Sequence, residues 1–378
     1  MTIPHYDVVI AGSGPAGCAA AIRLRQLNLS VCIVDNANDN ALKVGESLPG
    51  AAIRLLNRLG IKNMSQLLPQ SAYSLCIANV SAWGMDDWTY NDAIKNPENG
   101  GWHILRHKFD KSLRQLASQN EVTFYNAKFG KTTSTRQKND TNEINHSISF
   151  KTKDTALPET ISSRWIIDAT GRASAVIKQF GIDRLAFEQQ IAAIVWLKPS
   201  TKKNQDSTTR IKSVENGWWY SAKLPDNTRV VSFHGLPNDI AKMVKSKTLF
   251  VSEANKVNIL IDSIAENEIL EGVIARNAGF FKASDVIGKS WLAIGDAALS
   301  LDPISSQGMF FALYSGVRGA ETIASVINDS NDCSGIRDAY RQKVENVFIA
   351  NANSRKHYYT TEQRYASHPY WKQYLNSV

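Results

Sequence analysis

The segment Asp7 to Asp35, DVVIAGSGPAGCAAAIRLRQLNLSVCIVD, constrains this chain more than any other. Asp7 to Ala11 is an apolar run of strand character, and Val31 to Val34 is a second. Between them Gly12, Gly14 and Gly17 fit G-x-G-x-x-G, and Ala16 to Leu27 carries the small and apolar residues of a helix packed on a sheet. One glycine permits the sharp turn, one lets the backbone approach a pyrophosphate, and one allows close helix–strand contact. The helix N-terminus around Pro15 and Ala16 presents free N–H groups and a positive dipole end to phosphates. Asp35, roughly 20 residues on, can accept hydrogen bonds from a ribose. Strand, turn, helix, strand and acid together predict a dinucleotide site. A glycine turn in an unrelated α/β protein is the alternative, and Asp35 disfavours it.

With 378 residues, 43% of them hydrophobic, the chain can bury a large core in one large or two closely joined domains. No apolar run reaches the length of a membrane span, so no membrane partner is expected. The N-terminus enters the first strand without a secretory signal, which sets the expectation of a cytoplasmic protein. The cysteines, Cys18, Cys32, Cys76 and Cys333, form no CxxC pair and no metal spacing, so no metal is expected. Cys18 and Cys32 read as small core residues. The net charge of +8 is scattered rather than striped, which argues against nucleic acid.

Downstream, Lys43 to Gly50 leads into a helix near Ala51 to Leu59. Ser71 to Ser81 has strand character, a helix starts near Phe109, and Val122 to Ala127 is the next strand. Phe129 to Lys153 reads as a two-stranded excursion around Lys138 to Asn142. Arg164 to Ala169 is a strand ending in Thr170-Gly171-Arg172. The middle differs: Gln190 to Lys198, Gly217 to Leu224 and Arg229 to His234 are alternating, aromatic-rich strands, the last two joined by a turn at Pro225-Asp226-Asn227. They predict an antiparallel sheet with one functional face. A helical region from Asp239 to Leu270 follows, then the strand Ser290 to Ile294, then helices over Gly308 to Asn328 and Ile336 to Tyr359.

Trp291 to Ala298 is a buried strand ending in Gly295-Asp296, a carboxylate suited to ribityl hydroxyls. Asp302-Pro303 and Gly308-Met309 follow and open a long helix, whose N-terminus could face a flavin's N1–C2 edge. Alone, Gly-Asp is common. Placed after the N-terminal fingerprint it points to FAD rather than NAD. Asp168-Ala169-Thr170-Gly171 would put small residues beside the adenine half.

This order resembles the flavoprotein monooxygenases of the glutathione-reductase-like FAD fold: the VIAGSGPAG fingerprint, Val44-Gly45-Glu46-Ser47, Arg106 before Phe109-Asp110, Asp168-Ala169-Thr170-Gly171-Arg172, and Gly295-Asp296-Ala297 with Asp302-Pro303 and Gly308-Met309. The Gly-Glu-Ser loop is similar to that of the tryptophan-halogenase-like branch. Gly217 to Ser221, with Tyr358-Tyr359, Glu362, Arg364, Pro369 and Trp371, resembles the flavoproteins that mature cysteine tryptophylquinone in amino-acid (lysine or glycine) oxidases. The implied fold is α/β (α+β): an FAD-binding Rossmann domain (1–70, 100–182 and 275–330) with an inserted antiparallel-sheet substrate domain (71–99 and 183–274). A C-terminal helical segment (331–378) would offer exposed aromatics to a partner. The implied activity is hydroxylation of a tryptophan side chain in a partner oxidase precursor, through a flavin C4a-hydroperoxide, with an external reductant for the flavin.

The resemblance implies that Gly12, Gly14, Pro15, Ala16, Gly17 and Asp35 hold the ADP half, with Asp168 and Gly171 beside it. It puts Arg106 on the pyrophosphate and Asp296 on the ribityl chain. Glu46, Ser47, Pro303, Gly308 and Met309 would lie by the flavin ring. Candidate catalytic residues are Glu46, Ser47, His103 and Trp219. His107 and His234 are further possible proton donors, and Trp83, Trp102, Trp218 and Tyr220 are further candidates for an aromatic face. The chain departs from flavin halogenases in two respects: Ser65 to Trp83 contains no lysine to capture hypohalous acid, and Trp218-Trp219 lacks the spacing of Trp-x-Trp-x-Ile-Pro. A small-molecule aromatic hydroxylase or halogenase, and a maturation chaperone with a structural flavin, are the rival readings.

Overall fold

The computed structural model of the protein describes residues 3–39, 41–76, 78–92, 100–136, 144–152, 158–199, 208–328 and 333–375. One seven-stranded sheet runs Thr123–Asn126, Val31–Asp35, His5–Ala11, Glu159–Asp168, Ile144–Phe150, Lys131–Arg136, with Trp291–Ala293 paired to the end of Glu159–Asp168. The inner strands are parallel and the Ile144–Phe150 and Lys131–Arg136 pair returns antiparallel. Strands covered on both faces read as continuous apolar runs, and Val8, Val9, Ile10 and Ala11 are all fully buried. The sequence places the excursion's turn at Lys138 to Asn142, which lies outside the described residues.

The helix Pro15–Gln26 is sandwiched between this sheet and the helix Gly308–Asn328. Small residues make the approach possible. A Cβ on Gly316 would lie 2.5 Å from the Ala16 carbonyl oxygen and 3.0 Å from the Ala19 Cβ. Parallel strands end at one edge of a sheet, and that edge is where α/β folds bind ligands.

The second seven-stranded sheet runs Ile274–Asn277, Ile191–Leu197, Arg229–Gly235, Gly217–Lys223, Thr209–Val214, Ala78–Ala82, Thr89–Asp92. It is antiparallel except where Thr209–Val214 runs parallel to Ala78–Ala82. The strand Thr209–Val214, too polar to stand out by pattern, escapes the sequence reading. The predicted single strand over Ser71 to Ser81 is two, Tyr73–Cys76 and Ala78–Ala82, which belong to different sheets. The predicted helical region Asp239 to Leu270 breaks into Pro237–Lys245 and Lys247–Lys256 because the Ser246 side chain caps a new helix through the Leu249 N–H. Beyond Lys256, Asn258 at φ +52° stops the helix.

The C-terminal helices Cys333–Thr361 and Pro369–Leu375 correct one expectation. Tyr359 and Trp371 are each 1% exposed, packed with Trp218, Tyr370 and Tyr374 rather than offered to a partner. Arg364 is turned to Glu362, Asp86 and Ser213. Of the expected aromatic group only Tyr358 is substantially exposed. Among the described residues no helix is long and apolar enough to cross a membrane.

Gly316→Val should lower stability by about 1–3 kcal/mol through overpacking. Gly272→Ala, where a Cβ meets nothing within 4 Å, should stay within about 0.5 kcal/mol of the parent. Chemical denaturation of both variants checks the contrast.

Candidate active site

The parallel strand ends and one face of the second sheet enclose a cavity of about 960 Å³. Its floor starts at Gly12, whose φ of +103° admits little but glycine. A Cβ there would sit 2.4 Å from the Ala169 carbonyl oxygen. Gly17 does not line the cavity; a Cβ on it would strike the Gly12 carbonyl oxygen at 2.0 Å, so its job is helix-to-turn contact. Gly14, Pro15, Ala16 and Asp35 do line it. One Asp35 oxygen, Oδ2, accepts the Ser13 N–H at 2.7 Å and the Ser13 hydroxyl at 2.6 Å. That leaves the carboxylate fixed at the cavity wall with Oδ1 for another donor.

Asp168 does not reach the cavity. It is fully buried, its Oδ1 accepting the Thr170 N–H and hydroxyl and its Oδ2 accepting the Val176 and Ile177 N–H groups. It is a buttress that shapes the turn carrying Gly171, which does line the cavity. Asp296 lines it too, with Oδ2 3.4 Å from Arg172 Nε. Arg172 escapes functional assignment from sequence, although it closes the Asp-Ala-Thr-Gly-Arg run.

Arg106 lines the cavity but is committed elsewhere. It donates to the Val44 carbonyl at 2.7 Å and pairs with Asp110, which Lys43 also meets at 3.0 Å. Burial works against the Asp110 charge, but Arg106 and Lys43 prevail and hold its carboxyl below the usual range. The arginine thereby braces the loop 43–47, with Gly45 at φ +94°. On that loop Glu46 is 7% exposed, its Oε2 accepting the Gly45 N–H and its Oε1 accepting the Tyr220 hydroxyl. Ser47 Oγ lies 3.3 Å from the same hydroxyl. Burial, with the Glu46 charge adding to it, keeps Tyr220 protonated far above the ordinary tyrosine range.

The ceiling follows from strand alternation. Trp218 and Tyr220 face the cavity, with His234 and Ser232 opposite them in register and Ala192 and Ile194 on the next strand. Trp219 points to the other face and packs on Phe233 and Phe250, so it is core rather than catalytic wall. Trp83, Trp102 and His107 do not line the cavity either. His103 is buried beside Thr209, 2.9 Å from its hydroxyl, and also lies off the cavity; burial depresses its basicity. His234 does line it, stacked on Trp218 with centroids 3.8 Å apart, and burial drives its pKa down to about 3. These imidazoles are neutral near neutrality, which removes them as ready proton donors.

Pro303, Gly308 and Met309 line the far side, reached through Asp302. Asp302 Oδ1 accepts the Ile304 N–H at 3.0 Å, and Oδ2 accepts Arg355 Nε at 3.2 Å. Arg355 also grips Glu188, whose other oxygen accepts the Phe280 N–H. Two buried carboxyls share one guanidinium, so burial pushes Glu188 up to about 7, against the pull of Arg355, and pushes Asp302 up as well. Nothing local in sequence flags this trio: its members stand more than 50 residues apart.

The family described as "FAD binding domain" matches residues 5–353. LodB of Marinomonas mediterranea, provisionally named an FAD-dependent oxidoreductase, is 23% identical over 375 residues, covering 97% of this chain and 96% of LodB. The flavin-dependent halogenase CmlS shares the fold at a TM-score of 0.81 with 21% identity, over 99% of this chain and 68% of CmlS. QhpG, described as a peptidyl tryptophan dihydroxylase essential for tryptophylquinone cofactor biogenesis, shares it at 0.76 with 21% identity, over 98% and 79%.

The cavity fits FAD on its own geometry. A Cβ built on Gly14 meets nothing within 4 Å, and one on Gly308 likewise meets nothing, so both glycines front open space at helix starts. Gly14→Val should therefore leave the apoprotein as stable as the parent yet abolish flavin retention, read by thermal unfolding and by flavin absorbance after purification. The Glu188 carboxyl holds its proton to about 7 in the folded chain, against an ordinary 4.5. Between those values the folded state binds more protons, so stability is fullest below the window and is lost as pH rises through it. Glu188→Gln should flatten that fall, as measured by unfolding at a series of pH values.

Proposed function

Because the chain belongs to the FAD-binding, halogenase-like flavoprotein family and is an FAD-dependent oxidoreductase, we propose that it hydroxylates a tryptophan side chain of a partner oxidase precursor, on the route to cysteine tryptophylquinone. The observation that carries ring hydroxylation is the ceiling. Trp218, Tyr220, Ser232 and His234 hold no ammonium group. The cavity's lysines stand elsewhere, Lys43 on Asp110 and Lys128 just past the strand paired with that of Asp35. An amine placed to capture hypohalous acid is thus missing from the described ceiling. The protein-borne tryptophan is supported by the shared fold of QhpG, a peptidyl tryptophan dihydroxylase.

FAD, once bound and reduced by an external donor, supplies oxygen activation. The chain supplies the rest. Gly14 and the helix start at Pro15 and Ala16 cradle the pyrophosphate, Asp35 takes the adenosine ribose, and Gly171 flanks the adenine half. Asp296 takes the ribityl hydroxyls. Glu46, Ser47, Pro303, Gly308 and Met309 border the ring. Arg106 serves as a brace for the Gly-Glu-Ser loop. With the histidines neutral, the Tyr220 hydroxyl and Glu46 form the pair best placed to hold a proton at the cavity wall, while Trp218 and His234 exclude water on the substrate side.

Halogenation or hydroxylation of a free aromatic is the second reading, favoured by the likeness to CmlS. Co-expression with a tagged oxidase precursor separates the two. The proposal expects the precursor to gain oxygen mass only when this chain is present, with or without bromide. A halogenated free indole or phenol, with the precursor unchanged, supports the second reading. If a flavin-free Gly14→Val chain still matures the precursor, the role is that of a chaperone.

A further inference from the structure

We propose that a relay of tryptophans carries single electrons from the protein surface to the cavity wall, and so disarms one-electron oxidants that arise in the cavity. Trp218 lines the cavity and is 1% exposed. Its ring centroid lies 6.2 Å from that of Trp83, crossed at 65°. Trp83 is half-buried, and its indole N–H donates at 2.7 Å to the carbonyl of Tyr358, a residue 50% exposed. Trp371 widens the relay, 5.5 Å from Trp83. One ring-to-ring step thus joins the cavity wall to a half-buried indole at the surface.

Packing alone does not account for the composition of this cluster. Its ring contacts, through Trp83, Trp218, Tyr359, Tyr370, Trp371 and Tyr374, include no phenylalanine. Elsewhere the chain packs with phenylalanine, as in Phe187–Phe280–Phe348 and around Trp219. A buried hydroxyl or indole N–H must find a partner or costs free energy. Here the Trp218 N–H donates to the Tyr359 hydroxyl at 3.1 Å, and the hydroxyls of Tyr359, Tyr370 and Tyr374 gather around the amide oxygen of Gln190. Phenylalanine would fill the space without that demand, but it does not give up an electron readily. His234, stacked on Trp218, is held neutral by burial. An imidazolium there would oppose positive charge on the indole.

The electron count closes. Uncoupled oxygen reduction leaves hydrogen peroxide, which one electron from the external reductant splits into hydroxide and a hydroxyl radical. That radical takes one electron from the Trp218 π system and becomes hydroxide, with no bond of the indole broken. Trp83 refills Trp218 with one electron. A thiol in solution refills Trp83, loses its proton to water, and the resulting thiyl radicals pair as disulfide. None of these steps depends on which aromatic ring is the substrate.

The test uses the full chain loaded with FAD, without substrate. A blue-light flash makes the flavin a one-electron acceptor, and transient absorbance follows the tryptophan radical with and without dithiothreitol. The relay predicts a radical in the wild type that dithiothreitol quenches. Trp83→Phe should keep the radical but lose the quenching. Trp218→Phe should lose the radical, and Trp219→Phe, on the far face, should match the wild type. No radical in the wild type, or unchanged quenching in Trp83→Phe, overturns the proposal. Peptide mapping of wild type after aerobic turnover needs no variant. Oxygen adducts concentrated at Trp83 agree with the relay. Adducts on exposed Met85 and Tyr90 with Trp83 untouched contradict it.

Discussion

One row of backbone pairing organises the molecule: Ala11 is in register with Asp168, and Asp168 with Ala293. Parallel hydrogen bonding brings three carboxyl ends to the same edge, and the row continues through the Ala169 N–H to the Ala11 carbonyl and the Ile294 N–H to the Asp168 carbonyl. Three turns then meet there, those of Gly12, Thr170-Gly171 and Gly295-Asp296. A one-residue slip in any strand would flip its side chains and pull a turn out of line. Asp168 reinforces the row from beneath, spending both oxygens on the turn beside it.

The second sheet obeys a simpler rule. Alternation along Gly217–Lys223 sends Trp218 and Tyr220 to the cavity and Trp219 to the opposite core. Tyr220 then bridges the two halves of the molecule through Glu46. The low-dielectric setting makes that contact consequential, since removing the hydroxyl would strip the buried carboxylate of the donor on Oε1 and leave it the Gly45 N–H on Oε2. Floor and ceiling are held in one relation by that hydrogen bond, by Ser47 beside it, and by Arg172 donating to the Asn277 side chain of the second sheet.

Much of this was legible in the residues. The glycine fingerprint, Asp35 and the Gly-Asp turn signal themselves because turns and strand ends have local chemistry. The mixed α/β fold and the FAD cofactor follow from them, and the family match bears both out. What escaped is non-local. Trp219 and Trp218 are equivalent as letters, and only register against Arg229–Gly235 separates wall from core. Glu188, Gln190 and Arg355 mean nothing until the helix Cys333–Thr361 folds back over Asp302. The C-terminal aromatics suggested an exposed interface, because Tyr and Trp suit hot spots, yet the same amphipathic rings close the core over hydroxyls gathered on Gln190. Arg106 fits a phosphate clamp by type and position, but the nearby Asp110 and Val44 carbonyl claim it first.

The central claim is that the cavity inserts oxygen into a protein-borne indole. The most direct measurement supplies isotopically labelled dioxygen to the reduced, FAD-loaded chain with its oxidase precursor and maps the label by peptide mass spectrometry. The account predicts labelled oxygen on one precursor tryptophan. Oxygen derived from water on that tryptophan, or halogen in its place, would contradict it.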